Sequence, residues 1–191
     1  MHLLRPALAA VKALLVLTVV LGIAYPLAVT GVARLMPGRA DGSMIVAQGA
    51  QVGSALLGQP SSPAPRWFEG RPSASDAAGD TSGGTNLAEG SAAQATAVQE
   101  RERTLRAANP DAAGPIPADA LTASGSGLDP DISPAYAAWQ IPRVAAATGL
   151  SRADVTALVE EHTTPPLLGF VGTDHVNVTE LNIALATRLG R

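Results

Sequence analysis

The hydrophobic residues are concentrated near the N-terminus. Residues 13–33, ALLVLTVVLGIAYPLAVTGVA, contain no charged side chain. As a helix this stretch is about 30 Å long, which matches the hydrocarbon thickness of a bilayer. It is also longer than the apolar part of a secretory signal peptide, about 7–15 residues. We therefore predict a retained transmembrane helix at 13–33, with a cleaved signal peptide as the alternative. Pro26 is compatible with such a helix.

The orientation is predicted from the short segment before the apolar stretch. Two basic residues, Arg5 and Lys12, precede the stretch, and two, Arg34 and Arg39, follow it, so the charge difference is small. A short tail before a first apolar span still favours a cytoplasmic N-terminus. We predict a single-pass protein of the inner or plasma membrane, with a cytoplasmic tail at 1–12, a connector at 34–42 and one extracytoplasmic domain at 43–191.

Short apolar runs and breaks alternate in the first half of that domain. SMIVA at 43–47 predicts a strand, and VGSALLGQ at 52–59 predicts a helical turn or two. Residues 76–90 are rich in Gly, Ser, Thr and Asp and predict a long loop. Ser91 can cap a helix that runs to about Ala108, because the residue before Pro110 avoids the α conformation.

Helix signals are strongest in the last sixty residues or so. Ser133 followed by Pro134 predicts a helix start, Pro142 predicts a break or kink, and Gly149 predicts the helix end. A second helix is expected to begin with Ser151 to Asp154, and a third is expected to be capped by Thr179. The apolar faces of these two helices are Val155, Leu158 and Val159, then Leu181, Leu185 and Leu189.

Two strands are predicted between those last helices. PLLGFVG at 166–172 has the pattern of a buried strand, and HVNV at 175–178 that of a second one. Strands and helices mix without regular βαβ spacing, so the predicted fold class is α+β, with one membrane helix and one compact mixed domain.

Composition excludes several function classes. From Arg34 onward, eleven arginines face sixteen acids, a net charge of −5, so no nucleic acid partner is expected. The chain has no cysteine, which excludes a thiol nucleophile, disulfides and a Cys-based zinc site. Its single lysine, Lys12, lies beside the apolar stretch, so there is no P-loop for ATP.

Two loops of glycine and serine are the main candidates for binding chemistry. They are DTSGGTNL at 80–87 and SGSGLDPD at 124–131. Backbone N–H groups in such loops can hold an anion. The structural alternative is that Gly125 and Gly127 only permit unusual backbone angles at the entry to the helix capped by Ser133. Both interpretations stay open, and the second loop has too few spaced oxygens for an EF-hand.

Catalytic and metal-binding residues are not predicted. Ser126 could in principle combine with His162 or His175, but no G-x-S-x-G sequence surrounds any serine. The two histidines also lack the i, i+4 spacing of a helical zinc pair. No residue is therefore assigned a catalytic or metal-ligating role.

Several stretches occur in an order that resembles a known family. They are GIAYPLAVTG, GSMI, GSALLGQ, GRPSA, SGGTNL, LRAANPDA, TASGSGLDPDISP, WQIPRVA and HTTPPLLGFVG with VNVTELNIAL. Over nearly its whole length the chain resembles the C chain of the Kdp-type potassium-transporting ATPase. It departs from that pattern at Pro60, where the family usually has an aromatic residue, and at residues 88–92.

The resemblance implies an accessory subunit that hydrolyses nothing by itself. Its partners would be a potassium-channel-like subunit, a P-type ATPase subunit and the lipid bilayer, in a complex that imports potassium with ATP. The C chain of this family is described as a catalytic chaperone that raises the ATP affinity of the ATPase subunit. Because an exported domain does not meet cytoplasmic ATP, we expect no firmly bound cofactor and ATP only jointly with the ATPase subunit.

Candidate contact residues lie in the two loops and in the WQIPRVA stretch. They are Ser82, Gly83, Gly84, Asn86, Ser124, Gly125, Ser126, Gly127, Asp129 and Gln140. Two other functions remain as alternatives: an exported, membrane-anchored enzyme, or a small-ligand-binding protein, each using residues 124–131.

Overall fold

A computed structural model describes residues 4–60 and 65–190. The contacts divide the chain into two compact units, Met1–Ser43 and Met44–Arg191. The placement of either unit relative to a membrane stays a prediction.

The first unit contains one long apolar helix. Helix α1, Leu4–Val19, continues through a π-helical turn, Val20–Ala24, into α2, Tyr25–Ala33. The combined 30 residues have a mean hydropathy of 2.5 and are long and apolar enough to cross a membrane. The π turn ends at Ala24, two residues before Pro26. Because Pro26 has no N–H and its ring disturbs regular α-helical hydrogen bonding, the wider turn accommodates the proline. A short helix, α3, follows at Pro37–Ala40.

The second unit is a mixture of helices and short strands, which confirms the α+β prediction. Its elements are β1 Met44–Ala47, β2 Ala50–Ser54, α4 Ala92–Ala108, α5 Ala118–Leu121, β3 Asp131–Ile132, α6 Pro134–Thr148, α7 Arg152–Glu161, β4 Thr163–Thr164, β5 His175–Asn177 and α8 Val178–Arg188. β1 and β2 form an antiparallel pair. β5 lies between β3 and β4 in a second antiparallel sheet, in which Val176 pairs with Ile132 and with Thr163.

The hydrophobic core is built by the three C-terminal helices and the small sheet. α6 packs on α7, and α8 contacts both α7 and β5. The largest fully buried apolar side chains come from all of these elements: Tyr136, Val144, Val155, Val176, Leu181 and Leu185. The predicted apolar faces of α7 and α8 are thus confirmed, with Leu189 only partly buried at the edge.

Helix boundaries follow the predicted caps. The side-chain oxygens of Ser91, Ser133 and Ser151 each accept a hydrogen bond from the backbone N–H three residues later, at 3.2, 3.0 and 3.0 Å. These bonds satisfy N–H groups that have no partner within the helix. Gly149 has φ +78° and ends α6, a left-handed conformation that glycine adopts without strain.

Two helix predictions are wrong. Residues 52–59 form the second half of β2 and a turn instead of helical turns, because β2 pairs with β1 across a tight connection. The last helix is capped by Asn177, whose Oδ1 accepts from Glu180 N at 3.1 Å, and Thr179 lies buried inside the first turn. Asn177 ends β5 by pairing with Asp131, so the helix begins two residues before the predicted cap.

Two further predictions fail for reasons of packing. The predicted break of α6 at Pro142 does not occur, since buried residues on both sides of it, including Ile141 and Val144, hold the helix against the core, and a kink there stays a prediction. Residues 166–172 form a turn with an exposed tip at 167–171 instead of a buried strand. Leu167 pairs with Val171 in an isolated bridge, and the residues between them form the turn.

Candidate functional site

The two glycine–serine loops, far apart in sequence, lie against each other. Gly83 N donates to Ser126 O at 2.8 Å, and Ser82 Oγ donates to the same oxygen at 3.0 Å. Gly84 approaches Gly125 so closely that a Cβ on Gly84 would lie 2.9 Å from the Gly125 carbonyl oxygen. The structure thus brings most of the predicted contact residues into one cluster.

The second loop is held by its own serines. Ser124 Oγ accepts from Gly127 N at 3.1 Å, and Ser126 Oγ accepts from Leu128 N at 3.1 Å. Gly127 has φ +71°, and a Cβ there would lie 2.6 Å from Gly83 O. Glycine is therefore required at this position both by the backbone angle and by the neighbouring loop.

The same loop also supports a third segment, residues 70–77. Ser124 N donates to Pro72 O at 2.8 Å, and Ser73 Oγ donates to Gly127 O at 2.7 Å. Ser73 Oγ additionally accepts from Ala77 N at 2.9 Å. In the second loop, the N–H groups of Ser124, Gly127, Leu128 and Asp131 are all used within the fold.

Asp129 is engaged on both carboxylate oxygens. Oδ2 forms an ion pair with Arg71 Nη1 at 3.0 Å, and Oδ1 accepts from Asp131 N at 3.0 Å. The carboxylate therefore stabilises the loop and its attachment to residues 70–77. Among the described residues, no group of three or more His, Cys, Asp or Glu side chains is placed to hold a metal ion.

Gln140 lies away from the loops, fully buried on α6. Its Oε1 accepts from Glu69 N at 2.8 Å, and its Nε2 donates to Glu69 O at 3.0 Å. Asn182 on α8 binds Phe68 in the same two-bond manner, at 2.8 and 2.9 Å. These two amides bind an extended segment as a neighbouring strand would.

Arg143 extends this arrangement. Its Nη1 donates to Pro65 O at 2.6 Å and to Trp67 O at 2.9 Å, and its Nε donates to Asn109 Oδ1 at 2.7 Å. Burial lowers the pKa of Arg143, while the nearby Glu69 opposes that shift. We call Gln140, Arg143 and Asn182 the amide–guanidinium clamp. Sequence reasoning missed Arg143 and Asn182, whose only signal was the occurrence of polar residues on otherwise apolar helix faces.

A cavity of about 480 Å³ lies beside the clamp and the second loop. Apolar side chains such as Trp67, Phe68 and Ile183 line part of it, and the Arg71–Asp129 pair lines another part. Because the two charges of this pair cancel, the predicted contact residue Asp129 adds no net charge to the cavity wall. Its size is that of a small-molecule site.

Among the described residues, no hydrogen bond joins Ser126 to His162 or His175, and Asn86 does not take part in the loop cluster. Asn86 is exposed with φ +53°, and within residues 4–60 and 65–190 its side chain has no hydrogen bond. Ser126 Oγ is 3.2 Å from Ser124 Oγ. The Nδ1 atoms of His162 and His175 lie 2.8 and 3.0 Å from backbone oxygens of Leu158 and Thr173. Serine and histidines are therefore each occupied locally.

Asp131, at the end of the second loop, is an additional perturbed group. Burial raises its pKa, and the neighbouring Asp129 and Glu180 raise it further, while His175 and a hydrogen bond from the Asn177 side chain oppose the shift. Its Oδ1 is buried and lacks a hydrogen-bond partner among the described residues. The carboxylate is thus poorly stabilised in its charged form.

Comparison with known proteins identifies the family of this chain. The family model described as "KdpC: K+-transporting ATPase, c chain" matches residues 7–187. The chain belongs to this family. The resemblance seen in the sequence stretches is therefore confirmed, and with it a role in potassium transport as a subunit of a membrane ATPase complex.

Individual members agree with the family match over nearly the whole chain. The potassium-transporting ATPase KdpC subunit of Sorangium cellulosum is 52% identical over 186 residues, which are 95% of this chain and 96% of that protein. Those of Kineococcus radiotolerans and Caulobacter vibrioides are 50% and 51% identical. They cover 96% and 97% of this chain, and 94% and 93% of their own lengths. The aligned residues therefore cover at least 93% of each of these three members of the KdpC family.

Proposed function

We propose that the chain is an accessory, non-hydrolysing subunit that assembles and stabilises an ATP-driven potassium import complex. The observation that supports this most is the match over residues 7–187, which covers both the apolar helix and the mixed domain. ATP hydrolysis would then be carried by a P-type ATPase subunit, and ion passage by a potassium-channel-like subunit.

The geometry of the candidate site supports an assembly role over a chemical one. The groups that made the loops attractive as a ligand site are used within the fold: Asp129 by Arg71, and the loop backbone by the serines and by Gly83. A site that must hold a phosphate or activate a water needs such groups free. We infer that this chain contributes to the complex a folded surface that contacts other subunits, together with a membrane helix.

The topology we propose has the N-terminus in the cytoplasm and the second unit outside. The apolar helix Leu4–Ala33 supplies the anchor. This arrangement separates the second unit from cytoplasmic ATP. A catalytic-chaperone role, in which the chain raises the ATP affinity of the ATPase subunit, would require the opposite placement or an indirect effect through the membrane helices.

Co-purification tests the proposed function. The tagged full chain, extracted in mild detergent from cells that express the whole complex, should retain the ATPase and channel-like subunits. The chain purified alone should hydrolyse no ATP. A monomeric chain with its own hydrolytic activity would contradict the proposal and support the exported-enzyme alternative, which the family match does not favour.

A reporter fused after Gly190 tests the topology in the same cells. A reporter that is active outside the cytoplasm is expected. A cytoplasmic signal would overturn the orientation and make direct contact with ATP, shared with the ATPase subunit, the better explanation of the chain's role.

A further inference from the structure

An exposed apolar tip projects from the small sheet of the second unit. The tip, residues 167–171, connects β4 to β5 and contains Leu167, Leu168, Phe170 and Val171, which are 69%, 78%, 77% and 49% exposed. Leu168 and Phe170 are the most exposed large hydrophobic side chains in the described part of that unit. Exposed apolar clusters of this kind mark interaction sites.

Backbone hydrogen bonds define the shape of the tip. Leu167 and Val171 exchange two backbone hydrogen bonds of 2.9 Å, and Gly169 N donates to Pro166 O at 3.0 Å. Leu168 has φ +56°, a conformation that a non-glycine residue adopts only where the surrounding structure enforces it. A preformed apolar projection loses little conformational freedom when it binds, which favours its use as a docking element.

The charges around the tip argue against a lipid surface. No Asp, Glu, Lys or Arg lies between Glu161 and Asp174, and the acids nearest the tip in sequence, Glu160, Glu161 and Asp174, are exposed. Segments that bind membranes combine apolar residues with Lys and Arg. The tip has the apolar residues but lacks the Lys and Arg, and the acids that precede and follow it in sequence disfavour an anionic leaflet. Two copies of the tip facing each other would bring the same acids together.

We propose that the tip inserts into an apolar pocket, bordered by neutral or basic side chains, on another subunit of the potassium-transporting complex. The acidic flanks would lie against the border while Leu168 and Phe170 fill the pocket. This inference rests on the proposed function, in that the chain must be part of the complex. It adds the surface through which the second unit is held and the chemistry of the surface that receives it.

A site-specific fluorophore tests the proposal directly, because the chain has no cysteine of its own. Phe170→Cys carries an environment-sensitive apolar label, and Leu56→Cys, at an exposed leucine in the turn after β2, serves as the matched control. The full chain is measured in nanodiscs that contain anionic lipid, first alone and then in the complete complex. The label at 170 should be in water in the chain alone and shielded from iodide in the complex, while the label at 56 stays in water.

Each other outcome overturns the proposal. Shielding in the chain alone, with quenching by brominated lipid, would assign the tip to the membrane. A disulfide between two unlabelled Phe170→Cys chains that excludes the partner subunits would assign it to a second copy. A label at 170 in water in both samples, or equal shielding at 56 and 170, would show no specific docking. Failure of the wild-type chain to retain its partners would instead refute the proposed function itself.

A double substitution measures the strength of the contact. Leu168→Ser with Phe170→Ser should weaken retention of the partner subunits by roughly thirtyfold, the loss expected when a buried binding hot spot is truncated. Tryptophan fluorescence of the variant should stay native, since both side chains lie outside the core. Unchanged retention by a natively folded variant would contradict the proposal.

Discussion

Replacing Gly127 by alanine should destabilise the second unit more than the backbone angle alone explains. Gly127 has φ +71°, and holding an alanine in that conformation costs about 1 kcal/mol. The new methyl would also lie 2.6 Å from Gly83 O, so the neighbouring loop must move. That movement breaks the bonds from Gly83 N and Ser82 Oγ to Ser126 O, each of which contributes about 1 kcal/mol. The expected loss is about 3 kcal/mol in total.

Gly149 provides the matched control. It has φ +78°, close to the angle of Gly127, but nothing lies within 4 Å of a Cβ built there. Gly149→Ala should therefore cost only the backbone term, about 1 kcal/mol. The difference between the two variants, about 2 kcal/mol, is the contribution of the contact between the two glycine–serine loops.

The assay is urea unfolding of the full chain in detergent, followed by tryptophan fluorescence. Both tryptophans, Trp67 and Trp139, lie in the second unit, so the signal reports that unit. With a slope of about 2 kcal/mol per molar urea, the midpoint should fall by about 1.5 M for Gly127→Ala and by about 0.5 M for Gly149→Ala. Equal shifts would refute the contact between the loops as a source of stability. A stable Gly127→Ala variant would refute the structural role of the second loop.

Three further variants test a helix cap, a buried amide contact and a buried carboxylate of the second unit by the same assay. Ser133→Ala should cost about 1 kcal/mol through loss of the α6 cap, and a loss below a few tenths would contradict the capping bond. Asn182→Ala leaves the N–H and C=O of buried Phe68 unpaired and should cost about 2–4 kcal/mol; a neutral effect would show that water replaces the amide. For Asp131, burial raises the folded-state pKa, so the charged form opposes folding above the unfolded value of 3.8. Asp131→Asn should therefore add stability that grows as the pH rises from that value through the folded-state pKa and is constant above it, and a gain that disappears above the folded-state pKa would reverse the assignment.

Local signals predicted local structure well. Each serine cap depends on an oxygen and an N–H group only three residues apart, so a single stretch of sequence contains the whole interaction. The apolar stretch at the N-terminus is similarly self-contained, because length and hydropathy decide it. The cap of α8 was placed at Thr179 instead of Asn177, because the start of this helix depends on how β5 pairs with β3 and β4.

The clamp and the apolar tip could not be read from the sequence for a different reason. Gln140 reaches Glu69 across 71 positions, and Asn182 reaches Phe68 across 114, so both bonds depend on tertiary pairing. Residues 166–172 have the composition of a buried strand, but their burial depends on whether another element covers them. The left-handed conformation of Leu168 turns the chain before a strand can continue.

The meeting of the two glycine–serine loops was also outside the reach of the sequence. The composition of each loop predicts a turn, and either could bind an anion by itself. Only the fold shows that the N–H group of Gly83 donates to the carbonyl oxygen of Ser126. This mutual occupation is the physical reason to prefer the structural interpretation of the loops over the ligand-binding one.

The most direct test of the accessory-subunit account is ATP-driven potassium uptake in cells that lack this chain but retain the other subunits. We predict that uptake at limiting external potassium is lost in these cells. The full-length chain should restore it although it hydrolyses no ATP by itself. Undiminished uptake in the absence of the chain would contradict the account.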